Sequence, residues 1–151
     1  MKMTDMRVYI DKSNVKIYDD LQKITGADFH IIFFICVCLA VSRRADPQKL
    51  SKRIEKFWAR TMTPTEWSCI YAIILEQNAM DLKSVENDEN VILQMEAIAN
   101  AGIDIITNDL LKEYIRRVDG IKSLYSNDNN GEAIKTLLYS LMADYIDRIE
   151  E

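Results

Sequence analysis

The sequence IIFFICVCLAV, residues 31–41, constrains the fold of this chain more than any other feature, because it is apolar at eleven consecutive positions. A membrane-spanning helix needs about 18 or more such residues, and charged side chains bracket this run on both sides. A helix that is apolar on every side is typical of one that other elements enclose. The run therefore predicts a central helix inside the protein. The side chains expected to be mostly buried there are Phe33, Ile35, Val37 and Leu39.

Start and stop signals place further helices around this one. A first helix is expected to end at Gly26, a residue type favoured just after helices. Another is expected to begin at Thr63, where Glu66 completes a capping box. A long helical pattern runs over residues 89–118, and Gly102 either ends a helix there or lets a neighbour pack closely.

The last helix is expected from residue 132 onward, with an apolar side that packs on the body or on a second copy. Its packing residues are predicted to be Ile134, Leu138, Leu141 and Tyr145. Four glycines and two prolines in 151 residues favour helices joined by short loops over a turn-rich sheet fold. We therefore expect an all-α fold, a single compact domain over residues 1–151 with about six helices. Alternating apolar residues over residues 6–11 are compatible with a short strand there.

Charge is distributed unevenly along the chain. The formal net charge is −5, yet residues 43–60 carry +5, so the remainder carries −10. The basic residues of this segment are Arg43, Arg44, Lys49, Lys52, Arg53, Lys56 and Arg60. Pro47 is well placed to begin a helix that would run to about Ala59. On such a helix, the five cations from Lys49 onward fall within an arc of about 100°, apart from the apolar side chains.

Two interpretations of these seven basic residues stay open. They form either a solvated face that balances the acidic remainder or a surface that binds an anionic partner. Clustered like charges on a helix repel by a few tenths of a kcal/mol per pair, so a purely structural helix gains nothing from them, which favours a partner. That partner is predicted to be a phosphate backbone or an acidic protein, and DNA contact would be salt-sensitive and non-specific.

Residues suited to catalysis are scarce. His30 stands at the start of the apolar helix, where a lone histidine usually packs or caps. Cys36 and Cys38 point about 200° apart on a helix, so they cannot hold one metal ion together. No phosphate loop, HExxH, GxSxG or dinucleotide motif is present. We therefore predict no catalytic residue, no metal and no cofactor, and expect a protein that is not an enzyme.

Targeting signals are also scarce. The start MKMTDMRVYIDK lacks an apolar core of the kind a signal peptide needs. Cysteines within an apolar run act as small hydrophobic residues. A reducing cytoplasm is the expected location, and no membrane partner is expected.

Three segments together resemble a known family. They are FHIIFFICVCLAVSRR (residues 29–44), the arginine-rich exit that ends at Pro47, and MEAIANAGIDII (residues 95–106). The chain resembles the small proteins encoded beside bacterial DNA-phosphorothioation (Dnd) defence genes, over roughly residues 25–115. The resemblance implies an accessory subunit of an antiphage system that acts beside nucleases or SMC-like ATPases, and it implies no catalytic residues.

The first functional hypothesis is accordingly a non-enzymatic accessory subunit that docks onto a larger SMC-like ATPase or nuclease of a DNA-processing defence complex. The alternative is a small dimeric DNA-binding regulator, since strand, helix and helix over residues 6–42 follow the order of a ribbon-helix-helix protein. A metal-dependent nuclease is a distant third. Whether the chain forms a homodimer stays open at this stage.

Overall fold

The computed structural model describes residues 2–125 and 131–150, in which five helices combine with two antiparallel two-stranded sheets. The helices are α1 (Val15–Thr25), α2 (Phe29–Ser42), α3 (Pro64–Gln77), α4 (Asp88–Ile105) and α5 (Gly131–Glu150). The strands are β1 (Arg7–Asp11), β2 (Arg53–Trp58), β3 (Ile115–Val118) and β4 (Ile121–Leu124). Helices dominate, but the prediction of an all-α fold is wrong.

The central helix α2 is enclosed as predicted. Its contacts are with α1, α4 and α5. The four side chains expected to be buried, Phe33, Ile35, Val37 and Leu39, are each at most 5% exposed. Burying a side chain of this kind contributes about 1.5 to 3 kcal/mol, so α2 supplies much of the core.

Helix α4 passes through Gly102 without interruption and crosses α2 there. A Cβ on this glycine would overlap the main chain at Cys36, so the residue has to be glycine for the two helices to approach this closely. Of the two roles considered for Gly102, close packing is the one observed.

The predicted helix ends are confirmed at two places. Gly26 follows α1 with a φ of 67°, the left-handed conformation that glycine adopts without steric cost. At the start of α3, the Thr63 side chain accepts from the Glu66 N–H, while the Glu66 carboxylate accepts from the Thr63 N–H. These local signals mark where α1 ends and where α3 begins.

The prediction of a helix from Pro47 to about Ala59 is wrong. Residues 45–52 are irregular, and β2 follows, paired antiparallel with β1. The N-terminal strand considered from the sequence is therefore present as β1, and its partner comes from the basic segment. We call this two-stranded sheet the ribbon.

A β-bulge explains why the β2 sequence looked helical. Val8 pairs with Phe57 and Tyr9 with Glu55, so Lys56 is an extra residue between the two pairs. An extra residue shifts the two-residue alternation of a strand. As a result Ile54 and Phe57, three apart, face the same side as they would on a helix.

The prediction that helical structure continues to Val118 is also wrong beyond the end of α4. A π-helical turn continues α4 over Ile106–Leu110, and the β3–β4 hairpin follows. Asp119 and Gly120 join the strands with φ values of 53° and 77°. Positive φ at both central residues matches a type I′ turn, for which Asp-Gly is a preferred sequence.

The C-terminal helix α5 packs on α1 and α2. Ile134 and Leu138 are buried, as predicted. The expected packing residues Leu141 and Tyr145 lie outside the side chains that the structure describes.

Taken singly, no helix within the described residues is both long enough and apolar enough to cross a membrane. One bent pair, Lys12–Thr25 with Phe29–Ser42, reaches the necessary length and composition only when its two parts are joined across an angle of 111°.

Candidate polyanion-binding surface

The seven predicted site residues lie on four different parts of the chain, and the five from Lys49 onward do not share the helix face predicted for them. Arg43 caps the end of α2, and Arg44 follows it in the left-handed conformation, with a φ of 53°. Lys49 and Lys52 lie on the irregular connection, whereas Arg53 and Lys56 belong to β2. Arg60 follows β2 in a short 3-10 turn. The arc of about 100° calculated for a helix therefore does not exist.

Three of the seven cations form intramolecular ion pairs. Arg43 pairs with Asp109, which lies in the π-helical turn. The Lys56 ammonium is 2.7 Å from an Asp19 carboxylate oxygen and lies over the Phe29 ring. Arg53 pairs with Glu96, as described below. These three side chains connect elements of the fold, and their charges are already balanced by carboxylates of the same protein.

The other four cations form a different group. They are exposed, and none has an ion-pair partner within the part of the chain that the structure describes. We call them the exposed cations: Arg44, Lys49, Lys52 and Arg60. A charge with no internal partner remains available to an external anion.

Arginine and aromatic side chains alternate on the outer face of the ribbon. The Arg7 guanidinium carbon lies 3.6 Å from the centre of the Trp58 ring, and that of Arg60 lies 4.3 Å from it. Arg53 lies 4.1 Å from the Tyr9 ring centre. We call this surface, with Glu55, the ribbon face. A guanidinium on an aromatic ring is held by cation–π attraction while the edge of its plane stays open to hydrogen-bond acceptors.

A buried carboxylate fixes one end of the ribbon face to α4. Glu96, 2% exposed, accepts from the Tyr9 N–H at 2.8 Å and from the Arg53 guanidinium at 2.8 Å. Burial raises the pKa of Glu96, although these hydrogen bonds and the Arg53 charge act to lower it. The Tyr9 N–H lies on the β1 edge away from β2, so the Glu96 carboxylate occupies part of that edge.

A cleft of about 520 Å³ lies between the ribbon face and the start of α4. Two carboxylates that form no ion pair in the described residues, Asp5 and Glu89, line it beside the apolar Ile92 and Leu93. These negative charges make the cleft itself unsuitable for an anion. An anionic partner would instead contact the exposed cations outside it.

The remaining candidates for chemistry have structural roles. His30 hydrogen-bonds at 3.0 Å through Nδ1 to the Glu66 carboxylate that caps α3. Burial raises the pKa of the Cys36 thiol to about 12 and raises that of Cys38 as well, so neither is a reactive thiolate near neutral pH. Among the described residues, no three His, Cys, Asp or Glu side chains come together in a way that could hold a metal ion.

Sequence reasoning missed Arg7, Tyr9 and Glu96 as members of this surface. Arg7 and Tyr9 alternate with the apolar Val8, which is a strand pattern with one polar side. That pattern could have revealed the ribbon face. Glu96 gives no signal of its own, since an acidic residue on a helix is usually solvated.

Comparisons with protein-family models, with curated proteins and with solved structures find no match for this chain.

Proposed function

We propose that this protein is a non-enzymatic binding subunit that contacts the phosphate backbone of nucleic acid through its exposed cations. One observation carries the proposal: four of the seven cations in residues 43–60 have no acidic partner in the described structure. In a chain with net charge −5, carboxylates are available to pair with cations. Lys23, Lys83 and Lys112 are also exposed and unpaired in the described residues, so what distinguishes the exposed cations is that all four lie within one 17-residue segment, residues 44–60.

The stacked arginine supports the same conclusion. Arg60 lies over Trp58 and has no carboxylate partner in the described residues, so its N–H groups are oriented before any ligand binds. Preorganised guanidinium groups bind phosphate oxygens well, because they can donate two parallel hydrogen bonds. Arg7, on the same ring, is paired with Glu55 at 3.2 Å and has less to offer an anion.

Nothing on the ribbon face favours reading base sequence. Lysine and arginine contacts to phosphates position a protein on a duplex but carry no direct sequence information. The proposed contact with DNA is therefore non-specific, and its affinity falls steeply with salt because bound counterions are released.

The wider setting is the one that the resemblance to Dnd-associated small proteins implies. We propose that the protein docks onto a larger SMC-like ATPase or nuclease subunit of a defence complex and that it works in the cytoplasm. Three free cysteines are compatible with a reducing compartment. The alternative, a ribbon-helix-helix dimer, gains no support, since β1 pairs with β2 on one edge and with Glu96 on the other.

The experiment compares two triple charge reversals. The first, Lys49→Glu, Lys52→Glu and Arg60→Glu, reverses three exposed cations. The second, Lys23→Glu, Lys83→Glu and Lys112→Glu, reverses three other exposed lysines. Each variant changes the net charge by the same amount, so location alone distinguishes them. Binding to a mixed-sequence DNA duplex is measured by fluorescence anisotropy between about 50 and 200 mM salt, the range over which phosphate contacts change affinity strongly.

We expect the first variant to bind at least tenfold more weakly and its log–log salt slope to flatten by about 0.9 for each phosphate that it no longer neutralises. The second variant should keep the wild-type slope. Equal weakening in both variants would mean that only net charge matters. Absence of salt-dependent DNA binding by the wild-type protein would contradict the proposal and leave an acidic protein as the partner.

A further inference from the structure

The two aromatic rings of the ribbon face are already covered by guanidinium groups. The guanidinium carbons of Arg7 and Arg60 lie 3.6 and 4.3 Å from the centre of the Trp58 ring. That of Arg53 lies 4.1 Å from the centre of the Tyr9 ring. Proteins that bind single strands without sequence preference stack successive bases on aromatic side chains, so they need rings that a base can reach. A base would have to displace an arginine to stack on the ring surfaces that these groups cover.

Carboxylates hold two of the covering arginines in place. The Arg7 Nε atom is 3.2 Å from a Glu55 carboxylate oxygen. The Arg53 guanidinium donates to both oxygens of the buried Glu96, at 2.8 and 3.2 Å. Removing one member of a buried ion pair leaves an uncompensated charge inside the protein, which is strongly unfavourable. A base that replaced either arginine would therefore break an ion pair as well as a cation–π contact.

The cleft beside these rings is acidic, which opposes the backbone of a single strand. Bases can also stack on the outer side of a guanidinium, but each stacked base brings a phosphate with it. Asp5, Glu55 and Glu89 all line the cleft. Asp5 and Glu89 form no ion pair within the described residues. Single-strand-binding proteins instead combine their aromatic rings with a positively charged groove that follows the phosphates.

A duplex avoids both obstacles. Its bases are already paired and stacked inside, and its phosphates lie on the outside at a density of one charge per about 1.7 Å of axis. A double helix is too wide to enter a cleft of about 520 Å³. Among the described residues, none of the four exposed cations lines that cleft. They are therefore accessible to a duplex that stays outside it.

We propose that the exposed cations bind double-stranded nucleic acid and that the arginine-covered rings of the ribbon face disfavour single strands. This inference rests on the proposed function and adds the class of nucleic acid to it. It has a consequence opposite to that of charge alone. Removing an arginine from Trp58 should strengthen binding to a single strand, although a positive charge is lost.

The first measurement compares a labelled DNA strand with the same strand annealed to its complement, by fluorescence anisotropy of the wild-type protein at about 50 mM salt. We expect the duplex to bind at least tenfold more tightly. Equal or tighter binding of the single strand would overturn this inference alone and leave the proposed backbone contact standing. If the wild type binds neither form, the proposed function fails and this inference fails with it.

The second measurement uncovers the ring at constant net charge. The double variant Arg7→Gln, Glu55→Gln removes one guanidinium from Trp58 together with its carboxylate partner. Its affinity for the single strand, relative to the duplex, should rise at least about fivefold, the lower limit for one stacked base. The matched control, Arg43→Gln with Asp109→Asn, removes another exposed arginine–carboxylate pair and should keep the wild-type ratio.

Indole fluorescence reports stacking directly. Since the chain has two tryptophans, Trp67→Phe leaves Trp58 as the one emitter. A saturating single strand should quench this emission in the double variant and leave it unchanged when Arg7 and Glu55 are present. Quenching with Arg7 and Glu55 in place, or an unchanged affinity ratio in the double variant, would overturn the inference. The wild-type comparison of duplex and single strand decides it even where a variant fails to fold.

Discussion

A Cβ atom at Gly102 of α4 would lie 1.8 Å from the carbonyl oxygen of Cys36 in α2. The same atom would lie 2.5 Å from the Cys36 carbonyl carbon, so the obstruction is main chain rather than a side chain that can rotate away. Glycine at this position is what lets the two helices cross in contact.

We predict that Gly102→Ala destabilises the protein by about 3 kcal/mol, at the upper end of the usual cost of overpacking, because one helix has to move. Urea unfolding monitored by circular dichroism measures the change. The matched control is Gly131→Ala, whose Cβ would meet Ile24 Cγ2 at an ordinary 3.8 Å. A Gly102→Ala protein as stable as Gly131→Ala would contradict the close crossing.

Two buried carboxylates at the ribbon should give opposite pH dependences. Burial raises the pKa of Glu96 above its ordinary 4.5, so its contribution to the free energy of unfolding is present below pH 4.5 and is lost as pH rises through the raised value. Burial acts the same way on Asp11, but hydrogen bonds from Ser13, Ser51 and Lys52 outweigh it and lower its pKa below 3.8. The Asp11 contribution is therefore present above pH 3.8 and is lost as pH falls through the lowered value.

The measurement is urea unfolding from pH 3 to pH 8 of the wild type, Glu96→Gln and Asp11→Asn. The advantage of the wild type over Glu96→Gln should shrink as pH rises above about 4.5, and its advantage over Asp11→Asn should shrink as pH falls below about 3.8. Parallel pH curves for the three proteins would rule out both assignments.

The backbone at Arg44 predicts a conflict between stability and binding. A left-handed conformation costs a residue other than glycine roughly 1 kcal/mol or more, so Arg44→Gly should stabilise the protein by about 0.5 to 1 kcal/mol. Arg43→Gly, the control, should destabilise it, because Arg43 has an ordinary φ of −92° and pairs with Asp109. If Arg44 contacts phosphate, the salt slope of the stabler Arg44→Gly protein also flattens by about 0.9. A destabilised Arg44→Gly would show that the arginine is structural.

The three cysteines should differ in reactivity. Cys36 is fully buried with a pKa of about 12, and Cys38 is 2% exposed with a raised pKa, whereas Cys69 is half-buried. A thiol-reactive dye at pH 8 should therefore label one thiol rapidly in the native protein and three in denaturant. The variant Cys69→Ser should remove the rapid phase; if the phase persists, α2 is more open than its packing indicates.

Local signals in the sequence were enough for several elements. The apolar run predicted a buried α2, and the Thr63 and Gly26 signals predicted the ends of their helices. Each of these features depends on residues within one or two helical turns. Asp119-Gly120 is an equally local signal for the hairpin, although the helical spacing before it indicates a helix instead.

The strand structure of β2 could not be predicted from the residues of β2 alone. The three-residue spacing of Ile54 and Phe57 arises from a bulge at Lys56, and a bulge exists only where a partner strand pairs around it. The sequence therefore indicated a helix where β1, more than 40 residues earlier, supplies a strand.

The candidate surface likewise depended partly on the sequence and partly on the tertiary structure. Composition and order of residues were sufficient to identify the basic segment. Which cations are already neutralised depended on Asp19, Glu96 and Asp109, which are 37, 43 and 66 residues away from their partners. Ion pairs form over a few ångströms of space, irrespective of distance along the chain, so only the tertiary structure could separate the structural cations from those left open to a partner.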